Sequence, residues 1–415
     1  MLIRTRFVYL WFIIICWAPW KALAHPTPCN EQPWITIFVH GIISVKPFLS
    51  PYNIYILMRD DIHGSVYAHT ICHARKDPFF EHYHAMQQIG LKKIDLNVIE
   101  KSRAATAFAR SYDCVAHSIS SHEHNTYYTY GWSALLSKKL WKDEGELFYK
   151  ALLQEIETYR AQGIQPKIRI IGYSHGGTIA AHLANAYNEE NTAFYVDELI
   201  LLGMPGVPEA KELIQSPLFK KIYQIYSHGD RVQTLDFFSL NVVFSRKTFF
   251  GGKNLPDNFH QIGIKLYRLS SSCTAKCKYG HAWPAPPRHV RPAHPGHTEL
   301  WSFGWAGGYR QYYPLYPLPI GVFIPWFIEL SKQCSDCSRH ISIAMHPYAE
   351  HTQIKCHDTH ITYDLPGFDT SLIEQMKEDA LQFCPYEYGA LAYEQHLKIA
   401  IRKANEELKH QDKAV

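Results

Sequence analysis

A serine between two glycines lies near the middle of the chain, where residues 172–176 read Gly-Tyr-Ser-His-Gly. The pattern G-x-S-x-G holds a serine on a sharp strand-to-helix turn, from which its hydroxyl can attack a carbonyl carbon. The bare pattern also arises by chance, but here an apolar run, residues 167–172, enters it and small residues leave it. Gly172 and Gly176 give room to the neighbouring backbone. The context therefore predicts that Ser174 is a nucleophile for acyl transfer.

Such a nucleophile needs amide donors for the negative oxygen that forms on the attacked carbonyl. The backbone amide of His175 is the first donor that the pattern provides. A second apolar run, residues 34–40, leads directly into Gly41, and a turn there would direct the amide of Ile42 at the same oxygen. A strand that simply ends at a glycine turn would give the same sequence. We expect the amides of His175 and Ile42 to form the oxyanion hole, and the His175 side chain to line the cleft rather than act as a base.

A catalytic acid and then a histidine should follow the serine along the chain. Asp230 follows the apolar run 221–226 after a short turn, and it is the candidate acid, with Asp236 as the second choice. A turn-capping role for Asp230 is the alternative. His297 is the candidate base, because it begins a predicted helix in the loop after the last apolar run, residues 262–269. Three nearby histidines compete with it: His281, His289 and His294.

Short apolar runs alternate with helical patterns along the chain, which is typical of an α/β protein with a mainly parallel sheet and helices on both faces. The predicted strands are residues 34–40, 126–130, 167–172, 198–203, 221–226 and 262–269. The predicted helices are residues 103–109, 144–161 (ended by Gly163), 175–187 and 393–409. These positions predict a core over residues 25–305, interrupted by an insertion at 42–125 and followed by a C-terminal extension or cap subdomain at 306–415. The apolar run 316–330 contains three prolines, which favours a packed loop or lid over a membrane span.

The N-terminus predicts export. Arg4 and Arg6 precede an apolar stretch at 7–17, and Ala-Leu-Ala at 22–24 resembles a cleavage site. We expect residues 1–24 to be a cleaved signal peptide, with a membrane anchor as the alternative, and the mature protein to be periplasmic or secreted. Cleavage leaves 39 basic and 38 acidic residues. This near-neutral balance gives no electrostatic basis for binding nucleic acid.

Nine of the ten cysteines remain after that cleavage. In an oxidising compartment most of them would pair, and the odd number leaves at least one thiol unpaired. The close pairs Cys273/Cys277 and Cys334/Cys337 are a second option, a four-thiolate zinc site, although their separation is long for a compact site. We expect disulfides of undetermined pairing, and no metal.

Taken together, these motifs resemble the α/β-hydrolase family, and its lipase-like members in particular. The resemblance spans residues 34–301 apart from the insertion, and five segments carry it. They are His-Gly at 40–41, Gly-Tyr-Ser-His-Gly-Gly at 172–177, Leu-Gly-Met-Pro at 202–205, Gly-Asp at 229–230 and Gly-His at 296–297.

The resemblance implies an α/β-hydrolase fold and an acyl-enzyme mechanism with Ser174, Asp230 and His297, without a cofactor. The substrate would be a small ester or a lipid, which allows contact with a membrane surface; the oligomeric state is not implied. The same three residues also serve thioesterases, peptidases and acyltransferases, and a catalytically inactive secreted binding protein could retain the fold. Because all three residues occur in the expected order, we expect an enzyme that cleaves carboxylic esters.

Overall fold

A mixed β-sheet runs through the computed structural model. The structure describes residues 32–43, 55–57, 59–83, 88–97, 104–121, 123–187, 193–230, 232, 247–250, 255–269, 290–304, 313–347, 351–383 and 390–414. The predicted signal peptide lies outside these residues, and so do Asp236, His281 and His289.

The sheet contains a strand at each of the six predicted positions. In chain order the strands are β1 Trp34–Val39, β2 Gly90–Lys93, β3 Asn125–Gly131, β4 Lys167–Tyr173, β5 Glu198–Leu202, β6 Ile222–Ser227, β7 Phe259–Leu269, β8 Val290–Ala293, β9 His340–His346, β10 His351–Cys356 and β11 Thr362–Pro366. Across the sheet their order is β11-β10-β9-β7-β6-β5-β4-β1-β3-β2, and β8 pairs with β7. The expected α/β class is therefore confirmed.

The central strands are parallel, from β3 through β1, β4, β5, β6 and β7 to β9. Strands β2, β8, β10 and β11 join by antiparallel pairing. Every residue of β5 and β6 is buried. Burial of successive residues means that both faces of these strands are covered, which explains their continuous apolar sequences.

Nine α-helices lie wholly within the described residues. They are α1 Val66–Arg75, α2 Pro78–Tyr83, α3 Ala104–Ile119, α4 Lys138–Arg160, α5 His175–Ala181, α6 Pro208–Leu213, α7 Ile324–Gln333, α8 Thr370–Phe383 and α9 Ala390–Ala414. None of them is long and apolar enough to cross a membrane.

Local sequence explains several helix ends. Helix α4 begins six residues before the predicted start because Ser137 accepts a hydrogen bond from the amide of Leu140 at 3.2 Å, which caps the helix. It ends before Gly163, whose φ of +76° is a left-handed conformation that glycine adopts without strain. The predicted helix 175–187 is α5 followed by a tighter 3₁₀ turn, His182–Ala186.

The insertion contributes α1, α2, β2 and α3, and the C-terminal residues contribute α7, β9–β11, α8 and α9. The apolar run 316–330 includes a buried 3₁₀ turn, Ile320–Phe323, and most of α7, whose buried residues indicate core packing. Helix α9 packs against α1. Residues 32–415 form one compact unit.

Candidate active site

Ser174 occupies the turn between β4 and α5. Its φ of 53° and ψ of −130° lie in a sparsely populated region for a non-glycine residue, and such a conformation costs about 1–3 kcal/mol. Two backbone hydrogen bonds hold it there: the amide of Ser174 donates to Leu202 at 2.9 Å, and the amide of Gly177 donates to Ser174 at 3.0 Å. The surrounding structure therefore maintains the strained turn that the sequence predicts.

The two glycines of the turn lie against neighbouring backbone. A Cβ atom on Gly172 would lie 2.5 Å from the Cα of Gly177. A Cβ atom on Gly176 would lie 2.4 Å from the carbonyl oxygens of both Val39 and His40. A larger residue at position 176 would separate the start of α5 from the end of β1, and one at position 172 would separate α5 from β4, so both glycines are required by close approach.

One predicted oxyanion donor directly follows Ser174, and the other belongs to the loop that contacts it. A Cβ atom on Gly41 would be 2.9 Å from the Cβ of Ser174, which places the loop after β1 directly against Ser174. Ile42 follows in that loop and is partly exposed, and its amide donates no hydrogen bond to another described residue. His175 is the first residue of α5. The first amides of a helix have no acceptor within it, so they can serve an external oxygen.

The predicted acid and base are hydrogen-bonded to each other. His297 Nδ1 lies 2.7 Å from Asp230 Oδ2, and Asp230 is fully buried. Because an ionised carboxylate only accepts hydrogen bonds, the proton on Nδ1 belongs to His297. The other oxygen of Asp230 accepts a hydrogen bond from the amide of Val232 at 3.0 Å. Asp230 follows the C-terminal end of β6, the same edge of the sheet at which Ser174 follows β4.

Tyr173 connects the turn that carries Ser174 to the loop that carries His297. Its hydroxyl donates to the carbonyl of His297 at 2.9 Å, and the two ring centroids are 4.8 Å apart. The loop is also packed against the acid turn, because a Cβ atom on Gly229 would lie 2.2 Å from the carbonyl oxygen of His294. The ring of His294, a competing candidate base, instead meets the ring of His228 at 5.7 Å.

Gly203 is a site residue whose role the sequence did not indicate, although it lies in the Leu-Gly-Met-Pro segment. Its φ is +61°. A Cβ atom there would lie 2.9 Å from Leu300, 3.2 Å from Asp230 Oδ2 and 3.5 Å from His297 Nδ1. The absence of a side chain at position 203 therefore leaves the space in which the acid and the base meet.

The side chain of His175 is packed into the wall beside the nucleophile. It stacks on Trp141 with ring centroids 4.9 Å apart, and its Nδ1 is 3.4 Å from the hydroxyl of Thr178. Burial, and to a smaller extent the charge of the nearby His297, lowers the pKa of His175 to about 3. A histidine that is neutral at ordinary pH adds no positive charge beside His297, the candidate base.

A second buried histidine, His40, fixes the loop that carries Ile42. Its Nδ1 donates to the carbonyl of Gly41 at 2.7 Å, so Nε2 accepts from the guanidinium of Arg75 at 3.2 Å. The indole of Trp132 donates to the carbonyl of His40 at 2.7 Å. Burial, followed by the charge of Arg75, lowers the pKa of His40 to about 3. Sequence reasoning missed this network, because nothing local indicates that Arg75 of the insertion reaches the end of β1.

Glu299 is a second carboxyl group near the acid and base. It accepts a hydrogen bond from the hydroxyl of Thr298 at 3.1 Å. Burial raises the pKa of Glu299, with a smaller increase from Asp230, whereas the hydrogen bond and His297 act in the opposite direction. Nothing in the residues around Glu299 distinguishes it, by sequence alone, from a surface glutamate.

The predicted disulfides are not found among the described cysteines, all five of which are free: Cys72, Cys114, Cys334, Cys337 and Cys356. Cys29, Cys273, Cys277 and Cys384 lie outside the described residues, so their pairing stays a prediction. In the part of the chain that the structure describes, no group of histidine, cysteine or acidic side chains could hold a metal ion.

Comparison with known proteins identifies no relative. No protein-family model matches the chain, and neither a curated protein nor a solved structure matches it. The function must therefore be inferred from the residues of the site.

Proposed function

We propose that this protein is an exported serine hydrolase that cleaves carboxylic esters, with Ser174 as the nucleophile. His297 is the general base, and Asp230 orients it. The observation that carries this proposal is the 2.7 Å hydrogen bond between buried Asp230 and His297, at the sheet edge that also holds the strained turn of Ser174. If Asp230 only capped its own turn, the hydrogen bond from the amide of Val232 would be sufficient, and its second oxygen would not require a histidine partner.

The residues account for each step of acyl transfer. His297 takes the proton of Ser174 as its hydroxyl oxygen attacks the ester carbonyl, and the amides of His175 and Ile42 donate to the oxyanion. His297 then protonates the departing alcohol, which leaves an acyl group on Ser174. A water molecule, deprotonated by the same histidine, releases the acid and restores the serine.

The buried carboxylate of Asp230 contributes through its charge. It receives one hydrogen bond from Val232 and one from His297, so it is held in one orientation. When His297 gains a proton, the two groups become an ion pair in a site with little solvent. That pairing stabilises the imidazolium, and it keeps the other ring nitrogen available for the serine.

The order of the central strands also supports assignment to the α/β-hydrolase fold. Ser174 follows β4 and Asp230 follows β6, at the carboxyl ends of two parallel strands, and the chain after β8 brings His297 to Asp230. The proposed export rests on the signal peptide predicted at residues 1–24. Lipids and small esters are the proposed substrates, and thioesters, peptides and acyl acceptors other than water are the competing ones.

A fluorescent fluorophosphonate tests the proposal directly, because it reacts covalently with an activated serine. Residues 25–415 would be labelled alongside Ser174→Ala, His297→Ala and the control Ser335→Ala, which alters an exposed serine in the turn after α7. We expect labelling of the wild type and the control, none of Ser174→Ala and strongly reduced labelling of His297→Ala. Circular dichroism would establish that each variant is folded.

Two outcomes would contradict the proposal. Folded wild type that stays unlabelled both with and without detergent would indicate an inactive binding protein. Labelling that survives Ser174→Ala would place the activated serine elsewhere. If labelling follows the proposal, esters of increasing acyl length, matched thioesters and peptides would then be compared by kcat/KM to identify the substrate class.

A further inference from the structure

Helix α9, near the C-terminal end of the chain, lies along α1 of the insertion. Its most deeply buried residues recur at the spacing of one helix face, from Leu397 through Ala400 to Ala404, and each is at most 3% exposed. Helix α9 packs against α1, so this stripe is the face that it turns towards the protein. The two alanines leave room for a close approach of the two helices.

Polar contacts on both sides of this stripe fix the direction of α9. Glu407, in its later half, lies 3.2 Å from His69 and 2.9 Å from His73, both on α1. His396, nearer its start, lies 2.8 Å from Asp77, in the link between α1 and α2. The order of these contacts is opposite along the two helices. Helix α9 is therefore antiparallel to α1, and its start lies beyond the C-terminal end of α1.

Tyr393 lies in the first turns of α9, where the helix reaches the loop after β1. Its hydroxyl donates a hydrogen bond to the carbonyl of Ile43, a residue 350 positions earlier in the chain. Its ring meets the ring of Phe80, in α2, with centroids 5.3 Å apart. Ile43 directly follows Ile42, whose amide is the proposed second donor to the oxyanion.

The loop is thus held on both sides of Ile42. Before it, His40 accepts a hydrogen bond from Arg75 at 3.2 Å, and after it, Ile43 accepts one from Tyr393. Contacts on both sides restrict the peptide units between them, and the amide of Ile42 belongs to one of these. We propose that Tyr393 is a positioning residue, which keeps that amide directed at the oxyanion. The inference rests on the proposed ester hydrolysis and gives a role in it to the C-terminal segment.

The alternative is a tyrosine that only stabilises the packing of α9. Loss of its hydroxyl would then lower the melting temperature and leave the chemical step unchanged. A residue that positions an oxyanion donor has a different signature, because the oxyanion develops in the transition state and is absent from the bound ester. Its loss should lower kcat and leave KM nearly unchanged.

Tyr393→Phe tests this, because it removes the hydroxyl and keeps a ring against Phe80. For the best ester substrate we expect kcat to fall about 10-fold, less than the roughly 100-fold loss caused by removing a whole oxyanion donor. We expect KM to stay within about twofold, because the bound ester carries no oxyanion.

A trifluoromethyl ketone with the same acyl chain is an independent probe. The oxygen of Ser174 bonds to its carbonyl carbon, the proton passes to His297, and the carbonyl electrons form an oxyanion. Its affinity should fall by the same factor of about 10 as kcat, because both depend on the oxyanion donors. The corresponding alcohol has no carbonyl, so its affinity should not change.

Tyr128→Phe is the matched control. The hydroxyl of Tyr128 donates to Glu155 of α4 at 2.6 Å, so this variant also loses one tyrosine hydrogen bond, away from the loop after β1. We expect a similar fall in melting temperature and an unchanged kcat. Hydrogen exchange of the peptide that spans residues 40–43 should be about fivefold faster in Tyr393→Phe, the equilibrium factor for one typical hydrogen bond. The control should leave this exchange rate unchanged.

An unchanged kcat in Tyr393→Phe would overturn the inference, and so would a fall in kcat that Tyr128→Phe shares. An increase confined to KM would also overturn it. If the wild type neither hydrolyses esters nor reacts with the fluorophosphonate, the proposed function fails. Hydrogen exchange, which requires no turnover, then decides alone whether Tyr393 holds the loop, and an unchanged exchange rate would show that it does not.

Discussion

Alanine at position 203 tests whether the Asp230–His297 pair depends on the space left by a glycine. The added Cβ atom would lie 3.2 Å from Asp230 Oδ2 and 3.5 Å from His297 Nδ1, and 2.9 Å from a methyl carbon of Leu300. Contacts below about 3 Å cannot persist, so Leu300 or the backbone at position 203 must move. Either movement shifts the wall against which the acid and the base pack.

Two costs follow from Gly203→Ala, and they affect different measurements. The residue keeps a φ of +61°, which costs a non-glycine residue about 1–2 kcal/mol and lowers the melting temperature by about 1–3 °C. A displacement of about 1 Å at the catalytic pair costs roughly 100-fold in rate. We therefore expect a modest loss of stability and a fall of about 100-fold in kcat/KM for ester hydrolysis.

Gly163→Ala is the matched control, because it adds the same methyl group in a similar backbone conformation. Gly163 has a φ of +76°, and a Cβ atom there would have no neighbour within 4 Å. The control should show the same 1–3 °C fall in melting temperature, with an unchanged kcat/KM. Calorimetry and ester turnover on the two variants separate backbone strain from crowding of the catalytic pair.

Either of two results would refute the reasoning. If Gly203→Ala loses stability but keeps kcat/KM within about threefold of the wild type, the position of the Asp230–His297 pair does not control turnover. If Gly163→Ala loses activity to the same extent, the loss follows general destabilisation and says nothing about the pair.

Three further predictions rest on ionisable groups that are buried or only partly exposed. Asp230→Asn should lower kcat by about 10⁴ while the protein remains folded, because the amide favours the wrong tautomer of His297; activity near that of the wild type would remove Asp230 from the mechanism. The pKa values of His40 and His175 are lowered to about 3. Each histidine therefore binds a proton more readily in the unfolded chain, and each should lower the free energy of unfolding by up to about 1.4 kcal/mol per pH unit as the pH falls from about 6.5 towards 3. In unfolding experiments at several pH values, His175→Phe should make the free energy of unfolding depend less steeply on pH. An unchanged dependence would contradict the lowered pKa of His175. Glu299→Gln should raise the melting temperature at pH 7 but not at pH 4, because the raised pKa of Glu299 makes its charged form unfavourable in the folded protein; equal changes at both pH values would show that charge is not the cause.

The strands could be predicted because their signal is local. Residues of β5 and β6 are buried on both faces, so each appears in the sequence as an uninterrupted apolar run. The same reasoning failed for β9 and β11. Strand β9 has a histidine at each end and a serine within it. In β11, partly exposed and fully exposed residues alternate. A buried serine interrupts the apolar run of β9, and β11 has no apolar run, so pairing with neighbouring strands is what identifies both.

The loop after β1 shows a second limit. Its glycine and its predicted amide donor could be read from residues 40–42, but the groups that hold it could not. Arg75 comes from the insertion and Trp132 from the end of β3, and both bind His40 across long stretches of sequence. Such contacts depend on how the insertion folds over the sheet edge, and no short motif encodes that packing.

The candidate catalytic residues also differ in how far neighbouring sequence predicts them. The turn of Ser174 is determined by neighbouring residues, because Gly172, Gly176 and the strand before them are contiguous with it. The pairing of Asp230 with His297 joins residues 67 positions apart, so the sequence could offer candidates for the base but could not choose among them by contact. Among the described histidines, His297 is the one that reaches the carboxylate, whereas the ring of His294 packs against His228. The sequence therefore identifies the candidate nucleophile with fewer alternatives than the candidate base. Asp230→Asn and Gly203→Ala test the pairing of Asp230 with His297, which the sequence leaves more open.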